Sequence, residues 1–351
     1  MIDESLLSAL VFAPIGCFVL AALAAVGFAG LPGATRRLVP SLLTLLGALA
    51  GVAAAVAGLL RGAEIVLAGW DVAPFAPLTL RLDPLAAFFL LVISVPAGAA
   101  ALYGIGYLDA AHDADTPAHG TQPARAVTDS LVAGFLAAMT LVVLADGVFA
   151  FLLAWELMSL ISFFLVLGNG RQRETRRAAY IYLVMTQIGT AFLLVALLLL
   201  VRHAGAMDFE TIGASAATLG SGLRDAIFLL ALVGFGTKAG LIPLHVWLPR
   251  AHPAAPSHVS ALMSGVMVKI ALYGLIRLVW DLAGPGPIWW GGLLLVAGAI
   301  SAVLGILYAL MERDLKRVLA YSTVEHVGII TLGLGAAVVL GAGQHPRSST
   351  S

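Results

Sequence analysis

The chain has 351 residues, of which 61% are hydrophobic and only 11% charged, and its basic and acidic side chains balance to a net charge of zero. Soluble domains carry closer to a quarter charged residues, so a water-soluble globule is excluded, and zero net charge removes the electrostatic case for a nucleic-acid partner. The single cysteine, Cys17, cannot hold an iron–sulfur cluster, a structural zinc or an internal disulfide, and no metal or cofactor is expected.

A membrane-spanning helix needs about 20 mostly apolar residues, and it satisfies its own backbone hydrogen bonds in lipid. Ten stretches meet or approach that length: 5–28, 38–60, 84–108, 128–145, 147–168, 178–202, 223–243, 257–280, 288–310 and 318–341. The expected fold is an all-α polytopic membrane protein of about ten transmembrane helices. The first stretch opens on acidic residues and is too long for a cleavable signal, so it is read as a retained helix. Between the second and third, the run 61–84 alternates roughly around Pro74 and Pro77, which fits either a short hairpin lying over the bundle or an irregular loop.

Alternate loops collect Lys and Arg unequally. One side gathers eleven (Arg36, Arg37, Arg125, Arg171, Arg173, Arg176, Arg177, Arg250, Arg313, Lys316, Arg317), the other five (Arg61, Arg81, Arg202, Arg224, Arg277). The richer side is expected to be cytoplasmic, which places the N-terminus and the loop 61–84 outside. Asp146, between the fourth and fifth stretches, is then expected at the external surface, and Cys17 is a packing residue.

Three ionisable residues fall inside apolar stretches: Glu156 in the fifth, Lys238 in the seventh and Lys269 in the eighth. Each opposes insertion by about 2.5–3.5 kcal/mol at a helix centre, so each must face the bundle interior, paired or hydrated. One structural ion pair between Glu156 and Lys238 is the competing reading, but it leaves Lys269 unaccounted for. Pro243 follows Lys238 by five residues and offers no N–H to the carbonyl of Ala239, while Gly234, Gly236 and Gly240 crowd the same turns. The seventh helix should therefore break just past Lys238 and free carbonyls for water; an ordinary proline kink is the alternative.

In the eighth stretch, His258 and Lys269 are eleven residues apart. At 100° per residue both would project from nearly one face, suited to a hydrated proton path. His258 is equally readable as a solvated helix-start residue, and His245 as either a cap of the broken helix or a relay. In the tenth stretch Glu325 and His326 make a second polar spot beside Tyr321, Ser322 and Thr323, readable also as a buried contact between helices.

With a glutamate on the fifth stretch and lysines on the seventh and eighth, the sequence resembles the proton-translocating, antiporter-like subunits shared by respiratory complex I, Mrp-type cation antiporters and membrane-bound hydrogenases. The stretches that carry the resemblance are "LRLDPLAAFF", "LLAWELMSL", "GFGTKAGLIPLHVWLPRAHPAAPSHVSALMSGVMVKIALYG" and "RDLKRVLAYSTVEHVGII". Within the third, "AHPAAPSHVSALMSGVMVK" is similar to the large membrane subunit of hydrogenase-4 (component B) and formate hydrogenlyase.

The resemblance implies that Glu156 modulates Lys238 on a broken seventh helix. It implies that Lys269 links an input half-channel to mid-membrane, and that His326 lies near a tenth-helix position that is often polar. It further implies a first five-helix repeat plus part of a second, inverted one. On that scheme 1–127 holds the flanking helices with the external loop 61–84, and 128–280 the proton-translocation core. Residues 281–341 are the ninth and tenth helices, and 342–351 a polar tail. The family's second broken helix lies beyond residue 351, so the chain is expected to be a fragment or unable to complete a proton path alone.

The implied function is a proton-translocating membrane subunit of a redox-driven complex of hydrogenase-4 or formate hydrogenlyase type in the plasma membrane. It would work with other integral membrane subunits and a peripheral hydrogenase or dehydrogenase module, and hold no catalytic centre of its own. The alternatives are an Mrp-type cation/proton antiporter component, with Na⁺ as the other candidate ion, and a non-conducting structural subunit.

Overall fold

A computed structural model describes residues 4–30, 35–62, 64–73, 76–113, 122–168, 170, 172–284 and 286–344. Pro74, Arg171 and the end of the polar tail lie outside the described residues. The chain divides into two compact units, one of residues 1–180 and 254–266, the other of residues 181–253 and 267–351.

The first unit is built from long apolar helices: α1 (Glu4–Gly27), α2 (Thr35–Arg61), α3 (Pro84–Asp113), α4 (Gln122–Leu144) and α5 (Val148–Leu167). α1 packs on α2 and α4, α2 on α3, and α4 on α5. The run after α2 resolves as a hairpin, β1 (Ile65–Ala73) antiparallel to β2 (Ala76–Leu82), with Leu67 opposite Leu80 and both buried. Asp83 ends the hairpin and starts α3, its Oδ1 accepting the Ala86 N–H at 2.8 Å with Pro84 in the first helical position.

β2 is tied to the turn between α4 and α5. Leu80 bridges to Ala145, the Asp146 N–H donates to Thr79 O at 3.1 Å, and Arg81 Nε lies 2.9 Å from Asp146 Oδ1. Arg81 also lies 3.7 Å from Glu64 and 4.0 Å from Asp83. Asp146, expected at the surface, is thus only 6% exposed. Arg81, one of the loop charges counted above, is clasped by carboxylates. Both placements have one cause: the hairpin folds down over the helix ends and takes these charges out of water together.

The second unit takes most of α6 (Arg173–Ala204), then α7 (Phe209–Ser215), α8 (Ser221–Ala239) and nearly all of the short α9 (Leu248–Ala254). It continues with α11 (Val268–Ile276), α12 (Ile288–Met311) and α13 (Leu315–Gln344). α12 and α13 approach closely because Gly291, Gly298 and Gly305 recur every seven residues on α12. A Cβ at Gly298 would stand 2.7 Å from Leu332 N, and one at Gly305 2.7 Å from Glu325 N. Small residues are what let membrane helices pack backbone to backbone.

Nine helices among the described residues are long and apolar enough to cross a membrane. The expected seventh span is the exception, because the 19 residues of α8 carry three charges, Arg224, Asp225 and Lys238. The eighth span runs Ser257–Leu282 but is not uniform. α10 (Ser257–Leu262) passes into a π-turn, Met263–Met267, before α11, and a second π-turn covers Arg277–Leu282. The first lies between His258 and Lys269, so a uniform 100° per residue does not hold across it and the shared face inferred from that count loses its basis. The second carries Arg277, counted above among the charges that set orientation. It is only 6% exposed, bonded to Asp281 at 2.7 Å and to the Tyr273 hydroxyl at 3.0 Å.

Candidate functional site

The second unit holds a built break in its helix framework. α8 closes at Gly240, which adopts the left-handed region at φ +82°, ψ 34°. Leu248 packs 2.6 Å from where a Cβ at this position would stand, so both conformation and space favour glycine. Pro243 follows in a cis peptide with Ile242. The freed backbone groups find side-chain partners: the Trp247 indole N–H donates to Thr237 O at 2.7 Å, and the Ile242 N–H donates to Ser301 Oγ on α12 at 3.0 Å. Unwound backbone inside a membrane protein survives only when satisfied in this way.

Lys238 sits in the last turn of α8 and is only 2% exposed. Its Nζ donates to the Tyr182 hydroxyl at 2.9 Å and lies 5.2 Å from the Tyr182 ring centroid. Tyr182, itself fully buried on α6, donates its own proton to Met267 Sδ at 3.6 Å and packs its ring 4.9 Å from Trp247. A thioether is a weak acceptor, so the phenol keeps its lone pairs available to the ammonium. Gly189 and Gly234 let α6 and α8 approach closely enough for the contact, since a Cβ at Gly234 would stand 2.8 Å from Gly189 O.

Beyond Trp247 lies His252 on α9, only 1% exposed, its ring 6.5 Å from that indole. α9 is too short to span a membrane. Burial pushes the imidazole down to about 3, with the positive charges of Lys269 and Lys316 adding to the effect, so His252 is neutral at physiological pH. Lys238, Tyr182, Trp247 and His252 thus form a run of contacting side chains within one unit, with Lys269 and Lys316 close enough to act on its far end.

Of the residues singled out from sequence, Lys238 forms the centre of this run and Lys269 lies half-buried on α11 in the same unit. Glu156 on α5 and His258 on α10 are half-buried members of the first unit. His326 on α13 is exposed and donates from Nδ1 to Ser322 O at 2.7 Å, with Glu325 beside it half-buried. His245 packs between Tyr308 and Tyr321, with ring centroids 6.4 and 6.3 Å away. Tyr182, Trp247 and His252 were not picked out. Only His252, two residues past "WLPR", offered a signal, a polar imidazole in a largely apolar motif.

Residues 145–343 match the family model of the transmembrane region of NADH:quinone oxidoreductase and Mrp antiporters, more than half of the chain. The chain belongs to that family. Among its relatives, hydrogenase-4 component B of Escherichia coli K12 is 46% identical over 267 residues, covering 76% of this chain and 38% of the relative. The Mycobacterium tuberculosis H37Rv protein Rv0083, itself uncharacterised, is 44% identical over 290 residues, 83% of this chain and 43% of the relative. The chain therefore spans about two fifths of the length of these curated relatives.

Two solved structures share the fold. An archaeal membrane-bound sulfane sulfur reductase superposes with a TM-score of 0.76 at 23% identity, over 95% of this chain and 65% of the matched one. The Mrp complex of Dietzia sp. DQ12-45-1b also gives 0.76 at 23%, over 94% and 59%. The chain is accordingly a polytopic, antiporter-like membrane protein of this family.

Proposed function

We propose that the chain moves protons as a membrane subunit of a redox-driven complex of hydrogenase-4 or formate hydrogenlyase type, with Lys238 as the titrating centre. The observation that carries this reading is the Lys238 ammonium, buried at a helix break and held by a phenol at 2.9 Å. Such placement opposes insertion by about 2.5–3.5 kcal/mol, a cost that a membrane helix bears chiefly where the charge has work to do.

In this reading Lys238 binds a proton and passes it on when its environment stops favouring the charged form. Lys269 continues the path within the same unit. Glu156 is assigned the role of tuning carboxylate, and His258 and His326 the roles of flanking proton-transfer groups; these assignments rest on family resemblance and sequence position. A change in nearby charge is enough to drive release, because two unit charges about 4 Å apart interact by about 4 kcal/mol at an effective dielectric of about 20, nearly three pKa units. Neighbouring integral subunits and a peripheral hydrogenase or dehydrogenase module would supply that change from the plasma membrane's cytoplasmic face.

The test is Lys238→Ala in the assembled complex, reconstituted in vesicles with a pH-sensitive dye. The expected result is assembly without proton uptake, and unchanged uptake would refute the assignment. Replacing Na⁺ by choline in the same vesicles separates proton movement from Na⁺ exchange, since only an Mrp-like exchanger would stop.

A further inference from the structure

Where α12 ends and α13 begins, the second unit opens a cavity of about 350 Å³ lined by His245, Arg250, Tyr308, Glu312, Arg317 and Tyr321. Arg317 pairs loosely with Glu312 at 3.6 Å, whereas Arg250 makes no ion pair among the described residues. Two guanidiniums against one carboxylate leave the cavity with an excess positive charge, and two phenols add donors beside it. The two helices whose ends form the hollow are themselves apolar spans, Ile288–Met311 and Leu315–Gly341, with strongly exposed apolar side chains along them, among them Val303 at 56% and Leu319 at 57%. A cationic, donor-rich hollow at the ends of two apolar spans has the layout of a lipid site: headgroup in the hollow, chains along the spans. Neither proton transfer nor the Lys238 run uses these guanidiniums.

We propose that this cavity binds the phosphate of an anionic phospholipid. The shared chemistry is a phosphate oxyanion, which guanidinium recognises bidentately and phenol hydroxyls supplement. Basic pockets between transmembrane helices are suited to such headgroups. The apolar spans that end at the cavity favour the lipid over free phosphate, because only the lipid can also lie along them. Glu312 opposes the anion and sets its affinity.

The experiment titrates the full chain in neutral detergent with phosphatidylglycerol, phosphatidylcholine or inorganic phosphate, reading bound lipid by native mass spectrometry and stability by thermal shift. Phosphatidylglycerol should bind at least tenfold more tightly than phosphatidylcholine, and inorganic phosphate should give no comparable thermal shift. Arg250→Gln and Arg317→Gln should each weaken phosphatidylglycerol about fivefold. Glu312→Gln should tighten it, a gain that misfolding cannot imitate. Equal binding of the two lipids, an unmoved affinity in all three variants, or full stabilisation by inorganic phosphate alone would overturn the proposal. So would crosslinking that shows a partner subunit's acidic segment filling the cavity in the assembled complex. None of these readouts involves proton movement, so the result stands apart from the assignment of Lys238.

Discussion

Two cations largely withdrawn from water set the two units apart. Arg81, under the hairpin of the first unit, lies among Asp146, Asp83 and Glu64. Lys238, at the helix break of the second, lies against the Tyr182 hydroxyl and ring. An arginine cannot lose its proton in a protein, and one clasped by carboxylates is a fixed charge whose task is to pin β2 to the α4–α5 turn. A lysine against a phenol has a hydrogen-bond acceptor that carries no charge to fix its protonation. One arrangement is a fastener and the other, on the proposed function, a titrating group, although both are basic side chains withdrawn from water.

Breaking the fastener should give the largest effect. Arg81→Met leaves buried carboxylates without their cation and should cost roughly 3–5 kcal/mol, seen as a lower thermal midpoint in detergent. Asp146→Asn should cost less, because the amide oxygen still accepts from the guanidinium.

A smaller effect follows from His252. Its folded-state pKa of about 3 lies below the unfolded value of about 6.5, so the fold favours the neutral ring. That contribution is complete above pH 6.5 and is lost as pH falls towards 3, at up to about 1.4 kcal/mol per unit. Thermal midpoints measured between pH 7.5 and 5 should fall with pH, and His252→Gln should flatten the slope; an unchanged slope would mean that other groups dominate.

The smallest change sharpens the comparison most. Tyr182→Phe keeps the ring 5.2 Å from the ammonium and removes only the hydroxyl, a loss of about 1–2 kcal/mol. Because the ammonium is the form that loses its acceptor, Lys238 should release its proton more readily. The pH profile of proton uptake should shift to lower pH, whereas a purely structural role for the hydroxyl would lower activity without moving the profile.

The sequence made some of this readable and hid the rest, for physical reasons. Hydropathy exposes helices whose surroundings are lipid, and an apolar run with Lys238, Gly240 and Pro243 announces a break because glycine and proline act locally. Tyr182 could not be found the same way, since its importance comes from a contact across 56 positions and nothing in "AAYIYLVMT" marks it. The Arg81–Asp146 pair joins residues 65 apart, so each looked like an independent loop charge. The π-turns at Met263–Met267 and Arg277–Leu282 escape any reading at constant period. The first interrupts the count that put His258 and Lys269 on one face, and the second holds Arg277 buried rather than at a loop surface.

The claim beneath the proposed function is that the side chain at position 238 gives up its proton. Lys238→Arg separates charge from titration, since the variant keeps a cation there and takes away its capacity to deprotonate. Measured in reconstituted vesicles beside the native complex, proton uptake should disappear while assembly persists. Uptake at the native rate in that variant would show that position 238 needs only a fixed positive charge, and would contradict the account.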